Sequence, residues 1–455
     1  MTGASGARRA AELEVAVVGA GIAGLAAGAE LARAGLEVAV FEASPRAGGA
    51  AWSERRSGYL VERGAQTFRI GAAADAFLGR HALGERLVAA SPARRERFLV
   101  RGGRLVPVPL SPIAWLGSEL LSARGKVRML AEPFVRAGDA TGESVAAFAA
   151  RRLGAEAADR LVAPFLIGVY AGDPAQLGAE AVFPLLVEAE RRRGSIARGL
   201  LARAISGAAR GRSGSWSLQG GLGALPEALA ARLGPRLRLR SRISRVAFEE
   251  GQYRLEIEGE SGAERASARG LVLAVPAREA AALAAPLDPE AAKSLDSIGY
   301  APLSSVSVGV EASERLRGFG FLVPGQREAL LGCVFASELF SERAPAGRAL
   351  VTALFGGLRR PDAVDWPEER LVGELAGELD RLLGLRGPCE RLAVTRWPRA
   401  VAQPGPEHPR LVADARARLA RHPRLALAGA HLDGVGLGDA LASGVAAAQR
   451  LLEAR

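Results

Sequence analysis

The feature that most constrains this chain lies near its start, where a short apolar run, Leu13-Glu14-Val15-Ala16-Val17-Val18, leads directly into Gly19-Ala20-Gly21-Ile22-Ala23-Gly24. An Ala- and Leu-rich helical stretch follows from Leu25 to Arg33, and Gly35 closes it. A second apolar run, Glu37-Val38-Ala39-Val40-Phe41, then ends at Glu42. Strand, glycine turn, helix and strand in that order make a βαβ unit. Gly19 permits the tight turn, Gly21 lets backbone approach a pyrophosphate, and Gly24 lets the helix pack on the strand with its N-terminus facing the phosphates. Glu42 comes 18 residues after Gly24, close to the ~20 at which a carboxylate meets ribose hydroxyls. With 56 glycines in the chain, a bare glycine pattern would mean little. The ordered elements around it give it weight.

At 455 residues the chain exceeds what one core accommodates, so two or more domains are expected. Apolar residues at 49% and charged residues at 24% describe a globular enzyme rather than a disordered chain. The two cysteines, Cys333 and Cys389, and the four histidines show no spacing that suits a disulfide framework, zinc or a Ser-His-Asp triad. No metal is therefore expected, and the compartment is read as reducing. Arg8 and Arg9 precede an uncharged stretch from Val15 to Ala29, as in an export signal. Glu12 and Glu14 intervene, however, and the glycines sit at nucleotide-turn spacing. No other uncharged run reaches the ~18 residues of a membrane span, so the expectation is a cytoplasmic protein, at most peripheral on the membrane. The net charge is +11, and residues 91–215 hold 19 Lys+Arg against 11 Asp+Glu. Such a basic segment suits a solvated surface or an anionic partner. Nucleic acid is excluded because aromatics are only 5% and the arginines form no stacking or groove-reading motif.

Beyond Glu42, Ala43-Ser44-Pro45-Arg46-Ala47-Gly48-Gly49 resembles the E-x-x-x-x-x-G-G extension of the FAD-dependent amine oxidase superfamily. The resemblance places Arg46, Gly48 and Gly49 at the diphosphate and flavin. Near the other end, Leu425 to Gly429 reads as a strand, followed by Ala430-His431-Leu432-Asp433-Gly434-Val435-Gly436 and a helical pattern through Leu452. In that superfamily a G-x-x-x-x-G-V turn brings N–H groups and a helix N-terminus to the flavin pyrimidine edge, so Gly434, Val435 and Gly436 are implied there. Three middle stretches fit the same domain. Trp216 to Leu222 contains the paired Gly220-Gly221, Leu239 to Phe248 reads as a strand whose Arg245-Val246 would reach the adenine, and Leu271 to Pro276 reads as a buried strand.

Further stretches resemble the oxygen-dependent protoporphyrinogen oxidases within that superfamily. Val61-Glu62-Arg63-Gly64-Ala65-Gln66-Thr67-Phe68 is similar to E-x-G-[PA]-N-[ST]-[FM], which puts Gly64, Ala65 and Gln66 at the cofactor. Arg97-Phe98 through Leu105 is similar to R-[YF]-x-x-x-x-G-x-L, Gly168-Val169-Tyr170-Ala171-Gly172-Asp173 to G-x-Y-A-G-D, and Gly318-Phe319-Gly320-Phe321-Leu322-Val323-Pro324 to G-F-G-x-L-V-P. The resemblance implies that Arg97 pairs with a propionate of the tetrapyrrole, a task suited to the fork of a guanidinium. It implies that Phe319, Leu322, Val334 and Phe355 hold the macrocycle, and that the Gly168 carbonyl stands beside the reacting carbon. The implied reaction takes hydride from a methylene bridge of protoporphyrinogen IX to flavin, in three rounds to protoporphyrin IX, with dioxygen reduced to hydrogen peroxide. Alternatives are coproporphyrinogen oxidation, another flavin amine oxidase or desaturase, and an inactive flavin-binding scaffold. The last draws on Gln66 and Ala430, which stand where the family usually has Asn in a chain that contains no Asn at all.

The expected fold is α/β in the cofactor part and α+β overall. It comprises a Rossmann-like FAD-binding domain (residues 1–90, 205–275 and 415–455), a helical membrane-associated domain (91–204) and a mixed-sheet substrate-binding domain (276–414). Within the helical domain, Val145–Leu153 and Leu185–Ile205 carry helical patterns. The partners implied are the porphyrinogen, dioxygen, anionic lipid head groups, a ferrochelatase and a second copy of the chain.

Overall fold

A computed structural model describes residues 11–109, 114, 117–205, 211–260, 262–325 and 328–454; Arg8 and Arg9 lie outside them. The strands are β1 (Ala11–Val18), β2 (Val38–Phe41), β3 (Ser53–Arg56), β4 (Tyr59–Glu62), β5 (Phe68–Ile70), β6 (Leu87–Ala89), β7 (Arg97–Arg101), β8 (Arg104–Pro107), β9 (Arg212–Leu218), β10 (Leu237–Arg238), β11 (Ser241–Glu249), β12 (Gln252–Gly259), β13 (Gly262–Leu273), β14 (Gly299–Glu311), β15 (Gly320–Leu322), β16 (Leu330–Phe335), β17 (Arg348–Gly356), β18 (Glu390–Gln403) and β19 (Leu425–Leu427).

The first large sheet runs β10-β2-β1-β13-β12-β11, with β19 also against β13. Its β10, β2, β1, β13 and β19 are parallel, and β11 to β13 form an antiparallel meander. A parallel sheet is covered on both faces, and alternate β1 residues show it. Val15 and Val17 join a core with the helices Ile22–Arg33, Ala224–Leu233 and Leu437–Glu453. Ala16 and Val18 join a second core with the meander and the helices Ala277–Ala284, Pro289–Asp296 and His408–Leu419. The two chain ends touch where a Cβ on Gly444 would lie 2.0 Å from the Ala23 carbonyl, so only glycine there lets the last helix seat on the first.

The second sheet runs β18-β14-β17-β16-β15-β7-β8 and is antiparallel except for the β15–β7 pair. One face is closed by the helix Glu368–Leu383 through Leu371, Leu375, Leu379 and Leu383, an i, i+4 stripe. The other face is met by the helix Ala163–Tyr170, against which Val145–Leu153 packs; Val145–Leu153, Pro184–Arg193 and Ile196–Ile205 share a separate small core. Three sequence expectations need correction. Residues 91–204 are not wholly helical, because β7 and β8 extend the second sheet through β15. The pattern over Leu185–Ile205 breaks at Gly194, which has φ +69°. The strand over Leu239–Phe248 is interrupted at Arg240, where φ is +52°. Among the described residues no helix is long and apolar enough to cross a membrane.

Candidate active site

At the end of β1 the turn is built for glycine. Gly19 has φ +98°, and a Cβ on it would meet the Ala274 carbonyl oxygen at 2.5 Å; one on Gly24 would lie 1.8 Å from the Gly19 oxygen. Gly21 is different, with nothing within 4 Å of its added Cβ. It is the N-cap of the Ile22–Arg33 helix and makes no side-chain cap, so the free N–H groups there are open to an anion. The Glu42 carboxylate is fixed at this mouth by N–H groups of Ala20 (2.7 Å) and Ser44 (2.9 Å). Gly48, at φ +110°, donates to the Ala20 oxygen at 2.8 Å. Arg46 curls over the Ala47 and Gly49 carbonyls and lies 4.2 Å from the centre of the Trp52 ring. Burial lowers its pKa.

The next loop is equally tight. A Cβ on Gly64 would sit 2.2 Å from the Ala50 oxygen, and Ala65 donates to that same oxygen at 3.0 Å. Gln66 spends its amide N–H groups on the Glu62 and Gly64 carbonyls at 3.1 and 3.0 Å. Val246 is fully buried in the second core. The meander instead touches the Glu42 loop at Ser241, whose N–H donates to the Glu42 carbonyl at 2.8 Å.

At the far end Gly429 and Gly434 hold φ +146° and +157°. Gly436 caps the Leu437–Glu453 helix and donates to Asp439 at 3.1 Å. Burial raises the Asp439 carboxyl's pKa. A Cβ on Gly438 would lie 2.1 Å from the Arg69 oxygen, which presses the turn against β5. The two glycine turns thus share one wall of the first sheet, each offering helix N–H groups to negative charge.

Sequence reasoning missed a buried ion pair between β4 and the helical turn Ser341–Arg343. Arg343 and Glu62 are 1% and 3% exposed, and they are bonded to each other. Glu62 also accepts from Ser53 Oγ at 2.6 Å and from Leu222 N–H at 2.8 Å, while Arg343 donates to Ser217 Oγ at 2.6 Å. These bonds hold the Gly220-Gly221 turn to β4 and the end of β9 to Arg343.

Toward the helices, Arg97 starts β7 with its guanidinium 4.5 Å from the centre of the Phe319 ring. Burial lowers its pKa, and Arg69 nearby adds to this. Leu322 and Val334 lie on the same face of the sheet, because Gly320 pairs with Val334 and Leu322 with Gly332. The helix Ala163–Tyr170 closes down on that face, so that a Cβ on Gly168 would be 2.6 Å from Leu322 Cδ2. Gly168 stands in the last turn of that helix, where carbonyls lack helical partners. Phe355 corrects the sequence reading. It is buried in the opposite core with Leu371 and Leu375, because strand residues alternate between faces. Its neighbour Leu354 faces the helices and packs near Ile167 and Leu331.

A glycine-walled dinucleotide mouth and a second helix N-terminus, with an apolar sheet face elsewhere in the fold, fit a flavoprotein oxidoreductase. Residues 22–452 match the family described as flavin containing amine oxidoreductase. The chain is 33% identical to the chloroplastic protoporphyrinogen oxidase of Nicotiana tabacum over 87% of its own length and 77% of that protein. It is 25% identical to the coproporphyrinogen III oxidase of Bacillus subtilis (strain 168) over 95% and 96% of the two chains. A solved structure from Exiguobacterium sp. 255-15, provisionally named a protoporphyrinogen oxidase, superposes with TM-score 0.79 at 24% identity over 98% and 99% of the chains. The chain belongs to the flavin containing amine oxidoreductase family and is homologous to its protoporphyrinogen oxidases. It is an enzyme that uses FAD, and the open space at Gly21 with the carboxylate of Glu42 at its edge fits that cofactor.

Proposed function

We propose that the enzyme oxidises protoporphyrinogen IX to protoporphyrin IX for heme synthesis, with three dioxygen molecules reduced to three hydrogen peroxide. The observation that carries this reading is the sheet face that would form a substrate slot: Leu322 and Val334 share one face, and the Arg97 guanidinium lies on Phe319. A largely apolar tetrapyrrole with carboxylates at its edge matches it. FAD, when bound, supplies a two-electron acceptor. Arg97 then anchors a propionate, and Leu322 and Val334 hold the macrocycle in place. The Gly168 carbonyl faces the carbon that becomes positive as a methylene bridge loses hydride. Three hydrides and three protons leave in all, four of the six hydrogens from the methylene bridges and two from pyrrole nitrogens, so positioning does most of the catalysis. Gly19, Gly21, Gly24, Glu42, Arg46, Gly48, Gly49, Gly64, Ala65, Gln66, Gly434, Val435 and Gly436 are proposed to hold the cofactor, with Val246 contributing backbone only. Purified protein offered protoporphyrinogen IX should generate porphyrin fluorescence and lose it with Arg97→Leu; undiminished turnover in that variant refutes the anchor.

A second reading has one observation behind it. Beside the slot lies a cavity of about 920 Å³ whose lining includes Arg101, Arg160 and Arg359. Cations there suit the four carboxylates of coproporphyrinogen, and a higher kcat/KM on that substrate would establish it.

The helical region also exposes large apolar side chains, among them Phe134 at 85%, Ile205 at 78% and Val127 at 67%. Arg124, Lys126 and Arg128 are on the same helix as Val127. Together they support peripheral contact with an anionic bilayer. Co-sedimentation with phosphatidylglycerol vesicles, lost on Phe134→Ser with Ile205→Ser, would bear it out; sedimentation unaffected by both changes would refute it.

A further inference from the structure

The mouth proposed for the cofactor holds a cation that no carboxylate neutralises. Arg46 donates only to main-chain oxygens, those of Ala47 at 3.2 Å and Gly49 at 2.6 Å, and forms no ion pair among the described residues. Glu42 attracts it but has both carboxylate oxygens engaged by the N–H groups of Ala20 and Ser44. A long arginine side chain loses much rotamer freedom when it is kept in one place, and a rigid surface beside it lowers that cost at the moment of binding.

That surface is Trp52, half-buried just ahead of β3. The Arg46 guanidinium lies 4.2 Å from the centre of its ring, and the Arg63 guanidinium lies 4.7 Å from the same centre. The two cations differ in what surrounds them. Arg63 is paired with Glu54 at 2.7 Å and tied to β18 through Thr395 Oγ1 at 2.7 Å and the Val394 carbonyl at 3.3 Å. Its N–H donates to the Trp52 carbonyl at 2.8 Å, and its own carbonyl accepts from Trp397 Nε1 at 3.1 Å. The ring is thus fastened to the second sheet through a neutralised arginine. Arg46 is the member of the stack whose charge is left unanswered, and it stands beside the Gly48-Gly49 pair.

We infer that Trp52 is a positioning residue for the cofactor: its ring, fastened to the second sheet through Arg63, holds the Arg46 guanidinium ready for the FAD diphosphate. The inference rests on the reading of Arg46 as a cofactor residue and adds the part that orients it. Trp52 touches no reacting atom in this role. What it supplies is the face of an aromatic ring, on which a guanidinium stacks and is attracted by the ring quadrupole. Apolar bulk of similar size cannot replace that face, whereas another aromatic ring can. Because the ring is anchored on β18, the same stack makes retention of FAD depend on the contact between the dinucleotide mouth and the second sheet.

The test dilutes the purified holoenzyme in steps and reads the FAD released at equilibrium by its fluorescence, which gives a Kd. Trp52→Leu should raise that Kd by about 5- to 30-fold, the reach of a partly desolvated cation–π contact. Trp52→Tyr keeps an aromatic face and should stay within about threefold of the unaltered protein. Trp52→Met carries the same expectation as leucine and takes its place if the leucine variant does not fold. Arg46→Met should weaken FAD by at least about tenfold, and adding Trp52→Leu to it should change the Kd by less than about twofold, because the ring then has no guanidinium to hold. Unchanged or tighter FAD binding in Trp52→Leu overturns the inference. So does a full leucine effect in the Arg46→Met background, which would make the ring a support for the loop alone. If Arg46→Met leaves the Kd unchanged, the cofactor role of Arg46 falls and the inference with it; if only the Trp52 variants are without effect, the role of Arg46 stands and the inference alone is lost.

Discussion

Replacing Gly168 by alanine tests the slot with a single methyl group. The added Cβ would lie 2.6 Å from Leu322 Cδ2 and 3.0 Å from Cδ1, where carbon atoms prefer about 3.5–4.0 Å. Leu322 or the Ala163–Tyr170 helix must therefore move by about 1 Å. Overpacking of this kind costs about 1–3 kcal/mol. If the displaced Leu322 enters the substrate slot, that energy opposes productive binding, and kcat/KM falls by about 5- to 150-fold at 1.4 kcal/mol per decade. The assay is the initial rate of porphyrin fluorescence with saturating FAD. Pairing Gly168→Ala with Leu322→Ala removes the clash, so the double variant should be more active than the product of the single effects, with a coupling of at least about 1 kcal/mol. A Gly168→Ala enzyme with unchanged kcat/KM, or singles that combine multiplicatively, would refute the contact as a determinant of the slot.

Gly24→Ala places a Cβ 1.8 Å from the Gly19 carbonyl oxygen, a clash no side-chain rotation relieves; the protein should purify with less than about a tenth of its FAD, as read by the flavin to protein absorbance ratio. Arg343→Leu strands Glu62 in a buried site and should cost about 3–5 kcal/mol in urea unfolding, part of which Glu62→Gln should restore. Glu250 has φ +51° ahead of Gly251 in the turn between β11 and β12, so Glu250→Asn should raise stability by up to about 1 kcal/mol, seen as a higher melting temperature. Burial lowers the His431 pKa from its ordinary 6.5 to about 4, so it is neutral in the folded protein near pH 7. The unfolded chain thus binds the extra proton between pH 6.5 and 4, and this contribution is complete above about 6.5 and lost as pH falls, by on the order of 3 kcal/mol. His431→Phe should flatten the fall in urea midpoint over that window.

The cofactor corner was legible because its requirements are local. A positive φ at Gly19, a close approach at Gly24 and a carboxylate 18 residues on are all written within one βαβ unit. The second sheet was less legible, because its strands come from distant parts of the chain. β7 and β8 were assigned to a helical segment since their partner β15 lies more than two hundred residues later. Phe355 was placed with the substrate residues by resemblance, and nothing local in the sequence shows which face of β17 it occupies. The register shift between Leu330 and Gly332 gives no sequence signal. Arg343 sits in the polar run Ser341-Glu342-Arg343, which reads as surface. Its burial depends on Glu62, 281 residues away. Glu62 itself was within a recognised motif, and a buried acid in a strand flanked by Val61 and Leu60 was the one available hint that a cation must be found for it.

Mixing the purified enzyme with protoporphyrinogen IX in the absence of oxygen, while following the visible spectrum, tests the central claim most directly. The account requires a visible flavin band that bleaches on mixing and returns with porphyrin formation when air is admitted. A colourless protein that takes up no FAD, or a flavin band that neither protoporphyrinogen nor coproporphyrinogen bleaches, would contradict it.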